Sequence, residues 1–314
     1  MAPPPAPADV DPALEPATRE VLATFASAGL DVLLLKGPAL AALLYRAGEQ
    51  RSYSDIDLLV APRDREAAEQ ALTNLGYTNF DSGTGVDDVG GVVHAHTWIR
   101  RTPAGTAMVD LHHWLSGAGA PAQEAWDVLL THRTWIEVTG RRAAVLDRPG
   151  QAMHLALHAS QHAVFSDRQQ YELGLALDRW GVDVWDAAGE LAADIGATHA
   201  FASGLRLLPR GAAEAARLQL PSTDEDDWTI RNRAQRPRGT FHVKALSEAS
   251  TMAERLRIVR SALFPSRTWI EYHHPAARRS RARLVGAYAT HLARAPIWAT
   301  RAWVFGRRRR RAVR

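Results

Sequence analysis

Two aspartates open a short apolar segment that reads Asp55-Ile-Asp57-Leu-Leu-Val60. The apolar run predicts a buried β-strand, and strand alternation places both carboxylates on one face, about 6.6–6.8 Å apart along the strand. Two neighbouring anions repel each other unless a cation lies between them, and Mg²⁺ prefers hard oxygen ligands. The pair is therefore a candidate metal site. The alternative is a solvated strand end at which one carboxylate caps a turn.

A turn that suits an anion precedes this strand. Lys36, Gly37 and Pro38 stand where a predicted strand ends and a predicted helix begins. Such a corner offers free backbone N–H groups and the positive end of a helix dipole. Further along, Asp110 places a third carboxylate in an apolar strand. Three carboxylates opposite a phosphate-binding corner are what two-metal phosphoryl or nucleotidyl transfer requires.

These motifs resemble one known family, the uncharacterised nucleotidyltransferases of the polymerase-beta-type superfamily. The strand with two aspartates and the Lys-Gly turn are the more specific part of the resemblance, which extends roughly from Val21 to Arg294. The segments that carry it are Leu33–Leu40, Arg51–Val60, Gly76-Tyr77, Val109–His112, His154–His162 and Leu263–Ser266.

The resemblance implies an enzyme with two Mg²⁺ ions and a nucleoside triphosphate as substrate. Asp55 and Asp57 would bind both ions and bridge them to the nucleotide phosphates. Asp110 would complete the site of the catalytic metal and help orient or deprotonate the acceptor group. Members of the superfamily usually carry Gly-Ser at the turn, with the serine touching a phosphate, whereas this chain has Lys36-Gly37. We expect Lys36 to supply a charge in place of that hydroxyl.

Residues beside the motifs allow two interpretations each. Arg51 lies four residues before Asp55, so it can reach a triphosphate or hold the aspartates in place. His112 and His113 follow the third carboxylate, and one of them should face the site; a structural role is preferred for both. The predicted nucleotide-binding residues are Lys36, Gly37 and Arg51.

Three histidines recur at helical spacing later in the chain. His154, His158 and His162 share one predicted helix face. A pair at this spacing can bind zinc, but the glutamate of an H-E-x-x-H motif is missing. Packing between domains is therefore the preferred interpretation.

The order of the predicted elements indicates an α+β fold, with a small mixed sheet flanked by helices and a mostly helical remainder. Strands are predicted near residues 31–36, 56–60, 94–100 and 107–111, with a hairpin across 134–146. The predicted segments are a flexible Pro/Ala-rich tail (1–16), a polymerase-beta-like nucleotidyltransferase domain (17–150), a mostly α-helical domain (151–254) and a basic C-terminal helical segment with its tail (255–314).

The charge of the chain is unevenly distributed. Residues 1–254 carry 22 basic and 33 acidic side chains, whereas residues 255–314 carry 16 basic and one acidic, so the net charge of +4 hides a strongly basic end. A basic, aromatic-bearing helix suits an anionic membrane surface or nucleic acid. The alternative, preferred for Leu284 to Leu292, is a helix docked on the acidic body. Whether the tail after Trp303 binds an anionic partner stays open.

The chain contains no cysteine, which excludes disulfides, thiolate metal sites and a cysteine nucleophile. The N-terminus lacks the basic and apolar regions of a signal peptide, and no uncharged apolar run reaches the roughly 18 residues of a membrane span. We therefore expect a cytoplasmic location and no transmembrane segment.

Taken together, the motifs predict Mg²⁺-dependent transfer of a nucleoside monophosphate from an NTP to an unknown acceptor, with release of pyrophosphate. The acceptor can be a small molecule, a peptide, a protein or RNA. One alternative is a catalytically degenerate module that keeps the fold for binding or regulation, which the Lys36-Gly37 turn suggests. The other is a nucleic-acid-modifying nucleotidyltransferase, which the basic end suggests.

Overall fold

The computed structural model describes residues 13–80, 95–161, 167–222, 251–265 and 274–312, together with residues 243, 246, 249, 267 and 270. The chain divides into two compact units. The first contains Met1–Tyr77 and Thr97–Asn232, and the second contains Thr78–His96 and Arg233–Arg314.

A mixed β-sheet lies at the centre of the first unit. The strands are β1 (Val32–Leu34), β2 (Ile56–Val60), β4 (Ala95–Thr102), β5 (Gly105–His112), β6 (Arg133–Val138) and β7 (Arg141–Leu146), while the two-residue β3 (Thr78–Asn79) belongs to the second unit. Across the first unit the order is β4-β5-β2-β1-β7-β6. The β1–β2 and β6–β7 pairs are antiparallel, and the β2–β5 and β1–β7 pairs are parallel.

Helices cover both faces of this sheet. They are α1 (Leu14–Ser27), α2 (Pro38–Leu43), α3 (Arg65–Asn74), α4 (Ala122–Thr131), α5 (Arg148–Gln161), α6 (Asp167–Arg179), α7 (Val182–Asp194), α8 (Thr198–Leu205) and α9 (Pro209–Arg217), with a 3-10 turn at Pro62–Asp64. Helix α5 makes its most extensive helix contacts with α8 and α7. Helices α5 to α9 form the mostly helical part that the sequence predicted after the mixed α and β part.

Alternation along β1 and β2 separates two apolar cores. Leu33 and Leu59 pair across the two strands and pack with the residues of α4 to α8. Leu34 and Leu58 pair on the opposite face and pack with α1 and α3. Because alternate residues of a strand share a face, Asp57 lies on the same face as Leu59, toward the α5 side.

The second unit contains two further helices, α10 (Met252–Leu263) and α11 (Arg281–Ala312), and a 3-10 turn at Pro275–Arg279. Two hydrogen bonds connect α11 with α10 and the residues just after it. Tyr288 Oη donates to the Pro265 carbonyl and His291 Nε2 donates to the Ala262 carbonyl, both at 2.9 Å. The small core of this unit comprises Ile270, Ala277 and Ala287, with Phe80, Leu284 and Tyr288 packed against it.

The predicted architecture, a mixed sheet flanked by helices with a helical remainder, is confirmed. The hairpin turns at Thr139 and Gly140, which have φ of 50° and 76°. Helix α1 begins at Leu14, so the last residues of the predicted tail are helical, and residues 1–12 lie outside the described residues. The segment boundaries predicted at 150 and 254 stay predictions. None of the helices in the described part of the chain has the length and apolar character needed to cross a membrane.

The close approach of α8 to α5 gives a test of this packing. An added Cβ at Gly204 would overlap the carbonyl oxygen of Ala156. We expect Gly204→Ala to lower the free energy of unfolding by about 1–3 kcal/mol in urea denaturation, because the helices must move apart. Gly174→Ala in α6 is the matched control, since its Cβ would make an ordinary contact with Leu208 at 3.8 Å. Equal losses in both variants would contradict this packing.

Candidate active site

Three carboxylates meet where β2 begins beside β5. Asp57 pairs with Asp110 across the parallel ladder, and Asp55 precedes Asp57 by two residues. One oxygen from each of the three lies within 4.8 Å of the others, the one such acidic or histidine group found among the described residues. Asp57 is 3% exposed, and the other two are half-buried. The structure therefore brings together the three predicted metal ligands, whose role stays a prediction.

Lys36 lies against this group. Its Nζ is 2.7 Å from Asp57 Oδ1. The next residue, Gly37, has φ of 58°, and a Cβ there would approach the Tyr53 ring to 3.4 Å. Both the backbone conformation and the nearby ring favour glycine at this position. The turn at the end of β1 thus directs a lysine ammonium toward the carboxylates.

Two further side chains contact the carboxylates. His112 Nε2 lies 3.3 Å from Asp57 Oδ1. Thr97 Oγ1, on β4, donates a hydrogen bond of 2.7 Å to Asp110 Oδ1. His112 is one of the two histidines for which the sequence favoured a structural role, and here it orients Asp57. Thr97 did not emerge from the sequence, because only the pairing of β4 with β5 places it beside Asp110.

Burial and mutual repulsion give the three carboxyls different acidities. Burial favours the neutral form of Asp57, but the Lys36 ammonium and then His112 hold its pKa well below its usual range. Burial, and then the charge of Asp57, raise the pKa of Asp110 to about 7 and also raise the pKa of Asp55. Burial opposes the charge of Lys36, yet attraction to Asp57 raises its pKa. Two carboxylates of the group therefore favour the arrival of a further cation.

A cavity of about 340 Å³ opens beside the carboxylates. It is lined by the turn at Lys36, by Asp55 and Asp57, and by residues of α5 and α6 such as His154 and Arg168. Burial, and then the nearby Lys36 charge, lower the pKa of His154 to about 3, so this wall of the cavity carries a neutral imidazole. The cavity thus joins anionic, cationic and neutral polar groups in one space.

A buried ion pair anchors the segment that leads into β2. Glu172 of α6 accepts hydrogen bonds from Arg51 Nε at 2.7 Å and from Tyr45 Oη at 3.2 Å. The side chains of Arg51 and Glu172 are 6% and 5% exposed. Of the two roles predicted for Arg51, holding the aspartate segment is the one that this contact supports. Its nucleotide-binding role stays a prediction, as do those of Lys36 and Gly37.

Two more residues of α6 hold the same segment on either side of the ion pair. Arg168 donates to the carbonyl and the Oγ of Ser52, both at 2.9 Å. Arg179 donates to the Leu44 carbonyl at 2.8 Å and pairs with Glu49 at 2.6 Å. Arg168, Glu172 and Arg179, which we name the α6 clamp, are spaced by four and seven residues and share one helix face. Residues 44–52, which follow α2 and include no strand, are thereby fixed.

Two of the three histidines predicted on one helix face line the cavity. The rings of His154 and His158 lie 6.3 Å apart, and His162 lies outside the described residues. Within the described part of the chain, neither belongs to a group with metal-ligand spacing. Both side chains contact the cavity, and the predicted role in packing between domains stays a prediction.

Comparison with known proteins identifies relatives of this chain. The family model described as "uncharacterised nucleotidyltransferase" matches residues 13–210, which is more than half of the chain. The match confirms the resemblance predicted from the motifs and, with it, the enzyme class of nucleotidyltransferases. No curated protein matches the chain.

Several solved structures match part of this chain. A solution structure of the antibiotic-resistance factor ANT(2'')-Ia matches with 17% identity and a TM-score of 0.41, over 60% of this chain and 96% of the other. A nucleotidyltransferase-like protein from Paracoccidioides brasiliensis matches with 16% identity and a TM-score of 0.41, over 67% and 95%. The lincosamide antibiotic adenylyltransferase LnuA matches with 14% identity and a TM-score of 0.35, over 52% and 95%.

The buried ion pair of the α6 clamp gives a test of how the aspartate segment is held. Glu172→Gln leaves the Arg51 charge buried without its counter-charge, so we expect the free energy of unfolding to fall by about 2–4 kcal/mol in urea. Trypsin should also cut the native protein faster within residues 44–52.

The matched control is Glu49→Gln, the same change at the solvent-exposed partner of Arg179. Surface ion pairs contribute little to stability, so this variant should unfold close to the parent. Equal destabilisation by the two substitutions would show that the buried pair has no special role in holding the segment.

Proposed function

We propose that this chain, which belongs to the family of uncharacterised nucleotidyltransferases matched by residues 13–210, transfers a nucleoside monophosphate from an NTP to an acceptor hydroxyl or similar nucleophile. The observation that carries the proposal is the meeting of Asp55, Asp57 and Asp110, of which Asp55 and Asp57 line a polar cavity. Labelling with α-labelled NTPs in cell extract identifies the acceptor.

The three carboxylates suit Mg²⁺ by their chemistry. They offer hard oxygen atoms within 4.8 Å of one another, which is the kind of ligand that Mg²⁺ prefers. Burial, and then the charge of Asp57, raise the pKa values of Asp55 and Asp110, so a divalent cation would relieve repulsion that the chain itself leaves in place. Two bound Mg²⁺ ions would neutralise phosphate charge and stabilise the attacking and leaving oxygens.

Lys36 and Gly37 are proposed to bind the nucleotide phosphates. Lys36 faces both the carboxylates and the cavity, so its ammonium can pair with a phosphate oxygen when a divalent cation replaces it at Asp57. A glycine at position 37 leaves room for the backbone to approach a phosphate closely. Arg168, which lines the same cavity, adds a second cation on the α6 side.

The proposed reaction is a displacement at phosphorus. The acceptor oxygen forms a bond to the α-phosphorus of the NTP, and the bond from that phosphorus to the oxygen bridging the α- and β-phosphates breaks. Pyrophosphate leaves with the bonding electron pair. The carboxylate of Asp110 orients the acceptor hydroxyl and takes its proton.

A second candidate function is a non-catalytic module that retains the fold. The contact of 2.7 Å between Lys36 and Asp57 motivates it, because the ammonium already satisfies the carboxylate that a metal would need. Calorimetry with Mg-ATP, Mg-GTP, Mg-CTP and Mg-UTP separates the two functions. Binding of one of them supports the enzyme, whereas the absence of binding by all four supports the module.

Removing a metal ligand should abolish transfer. We expect Asp55→Asn, Asp57→Asn and Asp110→Asn each to reduce transfer by at least about 100-fold, because several kcal/mol of charge stabilisation in the transition state would be lost. The assay incubates the protein with Mg²⁺, cell extract and each of four α-labelled NTPs, and asks which molecule acquires the label.

The control for this series is Asp31→Asn, a change at an aspartate whose side chain is 61% exposed and that pairs with Arg133. It should label the same acceptor at the parent rate. Thermal unfolding verifies that each variant is folded. Full activity in a folded Asp57→Asn protein would overturn the proposed metal ligands.

Replacing Lys36 should separate phosphate binding from metal binding. In Lys36→Met, we expect the KM for the NTP to rise at least tenfold, because the phosphate loses its cation. Mg²⁺ alone should bind the same variant more tightly than the parent, because no ammonium competes for Asp57.

Isothermal titration with Mg²⁺ in the absence of nucleotide measures the second effect independently of activity. Lys36→Arg is the matched control, since it keeps the charge but changes its shape. Weaker Mg²⁺ binding by Lys36→Met would mean that the lysine supports the metal site and does not compete with the ion.

A further inference from the structure

Large apolar side chains are exposed in one part of the second unit. Ten such side chains are exposed among the described residues, and eight of them lie between residues 252 and 304. Exposed apolar residues that lie together on one face mark an interaction surface, whereas single exposed apolar residues are ordinary. We name these eight residues the exposed apolar set: Met252, Leu256, Val259, Phe264, Val285, Ile297, Trp303 and Val304.

Helix α10 carries its exposed residues as a stripe bordered by arginines. Met252, Leu256 and Val259, spaced by four and three residues, share one helix face and are 67%, 63% and 38% exposed. At 3.6 residues per turn, Arg255 lies about 60° to one side of Met252 and Arg260 about 80° to the other. The helix therefore presents an apolar stripe with one arginine on either side, of which Arg255 also donates to the Ala249 carbonyl.

Helix α11 also carries exposed apolar residues and arginines, and it has no acidic residue. Its sequence from Arg281 to Ala312 contains neither aspartate nor glutamate. Arg283, Arg294 and Arg301 are exposed and, spaced by eleven and seven residues, lie on one side of the helix. Val285 and Ile297 are 68% and 56% exposed, and at 3.6 residues per turn they lie about 160° and about 40° from Arg283 around the helix.

We propose that the exposed apolar set and its flanking arginines form a binding surface for an anionic phospholipid membrane. Residues 252–304 contain ten arginines against two glutamates, which complements a negatively charged surface. Amphipathic helices that lie in a membrane interface combine a basic polar face with apolar and tryptophan side chains. Arginine can extend its guanidinium to lipid phosphates while its stem stays in apolar surroundings.

The aliphatic character of the surface favours lipid over nucleic acid. Six of the eight exposed residues are aliphatic or methionine, and only Phe264 and Trp303 are aromatic. Single-stranded nucleic acid is bound by stacking bases on aromatic rings and offers no hydrocarbon phase to aliphatic side chains. A bilayer interface offers both hydrocarbon and phosphate, so it can contact both the apolar residues and the arginines of the surface.

The test uses the full chain in co-sedimentation with vesicles of phosphatidylcholine alone and of phosphatidylcholine with one quarter phosphatidylglycerol. We expect binding to the anionic vesicles and at least tenfold weaker binding to the neutral ones. Met252→Ser/Leu256→Ser/Val259→Ser should weaken binding to anionic vesicles at least tenfold, and Leu256→Ser alone should weaken it by a smaller factor. Val182→Ser is the matched control, because Val182 is an aliphatic residue 60% exposed on the first unit, and it should bind as the parent does.

Several outcomes would overturn the proposal. One is the absence of binding to anionic vesicles by the folded parent. Another is binding that is lost in 0.5 M salt but is unchanged in the triple serine variant. That result would show that binding depends only on non-specific attraction between charges. Tighter binding to single-stranded RNA than to vesicles would indicate a nucleic-acid surface. Self-association in sedimentation velocity that the triple variant removes, without vesicle binding, would show that a second copy of the chain covers the stripe.

Discussion

The contact between Lys36 and Asp57 is the interaction on which the candidate site depends. Three carboxylates within 4.8 Å of one another repel, and burial strengthens that repulsion. The chain supplies one ammonium, which pairs with the most buried carboxylate at 2.7 Å. The other two retain raised pKa values. A site that is only partly neutralised by its own residues still favours an incoming cation, which is what the proposed metal binding requires.

The carboxylates of such a site must also be held at fixed positions. Here the sheet and α6 together hold them. Parallel pairing of β2 with β5 sets the distance from Asp57 to Asp110. Asp55 lies outside the strand, in a segment whose position depends on the α6 clamp. A loop held by one helix through a buried ion pair and two arginines combines an irregular backbone with a fixed position. This arrangement requires a buried ion pair, which fixes the geometry of the loop more than it stabilises the fold.

The sequence predicted the parts of this site that depend on local pattern. Two aspartates at i and i+2 in an apolar run predict one strand face, and the Lys-Gly turn follows from a strand that meets a helix start. The contacts of Glu172 could not be predicted in this way, since Arg51 and Tyr45 lie 121 and 127 residues away along the chain. A glutamate between Tyr171 and Leu173 indicates a buried charge, but periodicity does not name its partner. Thr97 depends in the same way on the pairing of β4 with β5.

The choice of lysine at position 36 carries physical information in this chain. The sequence contains 36 arginines and two lysines, Lys36 and Lys244, so arginine is the ordinary cation here. A guanidinium is a planar fork that binds two oxygens at once and keeps its partner, whereas an ammonium is a compact charge with freely rotating donors. Under the proposed metal binding, Asp57 would exchange its ammonium partner for a metal ion, and a compact, freely rotating ammonium suits such an exchange. The buried structural pair with Glu172 uses arginine instead, at two distances of 2.7 and 3.3 Å, where a permanent contact is required.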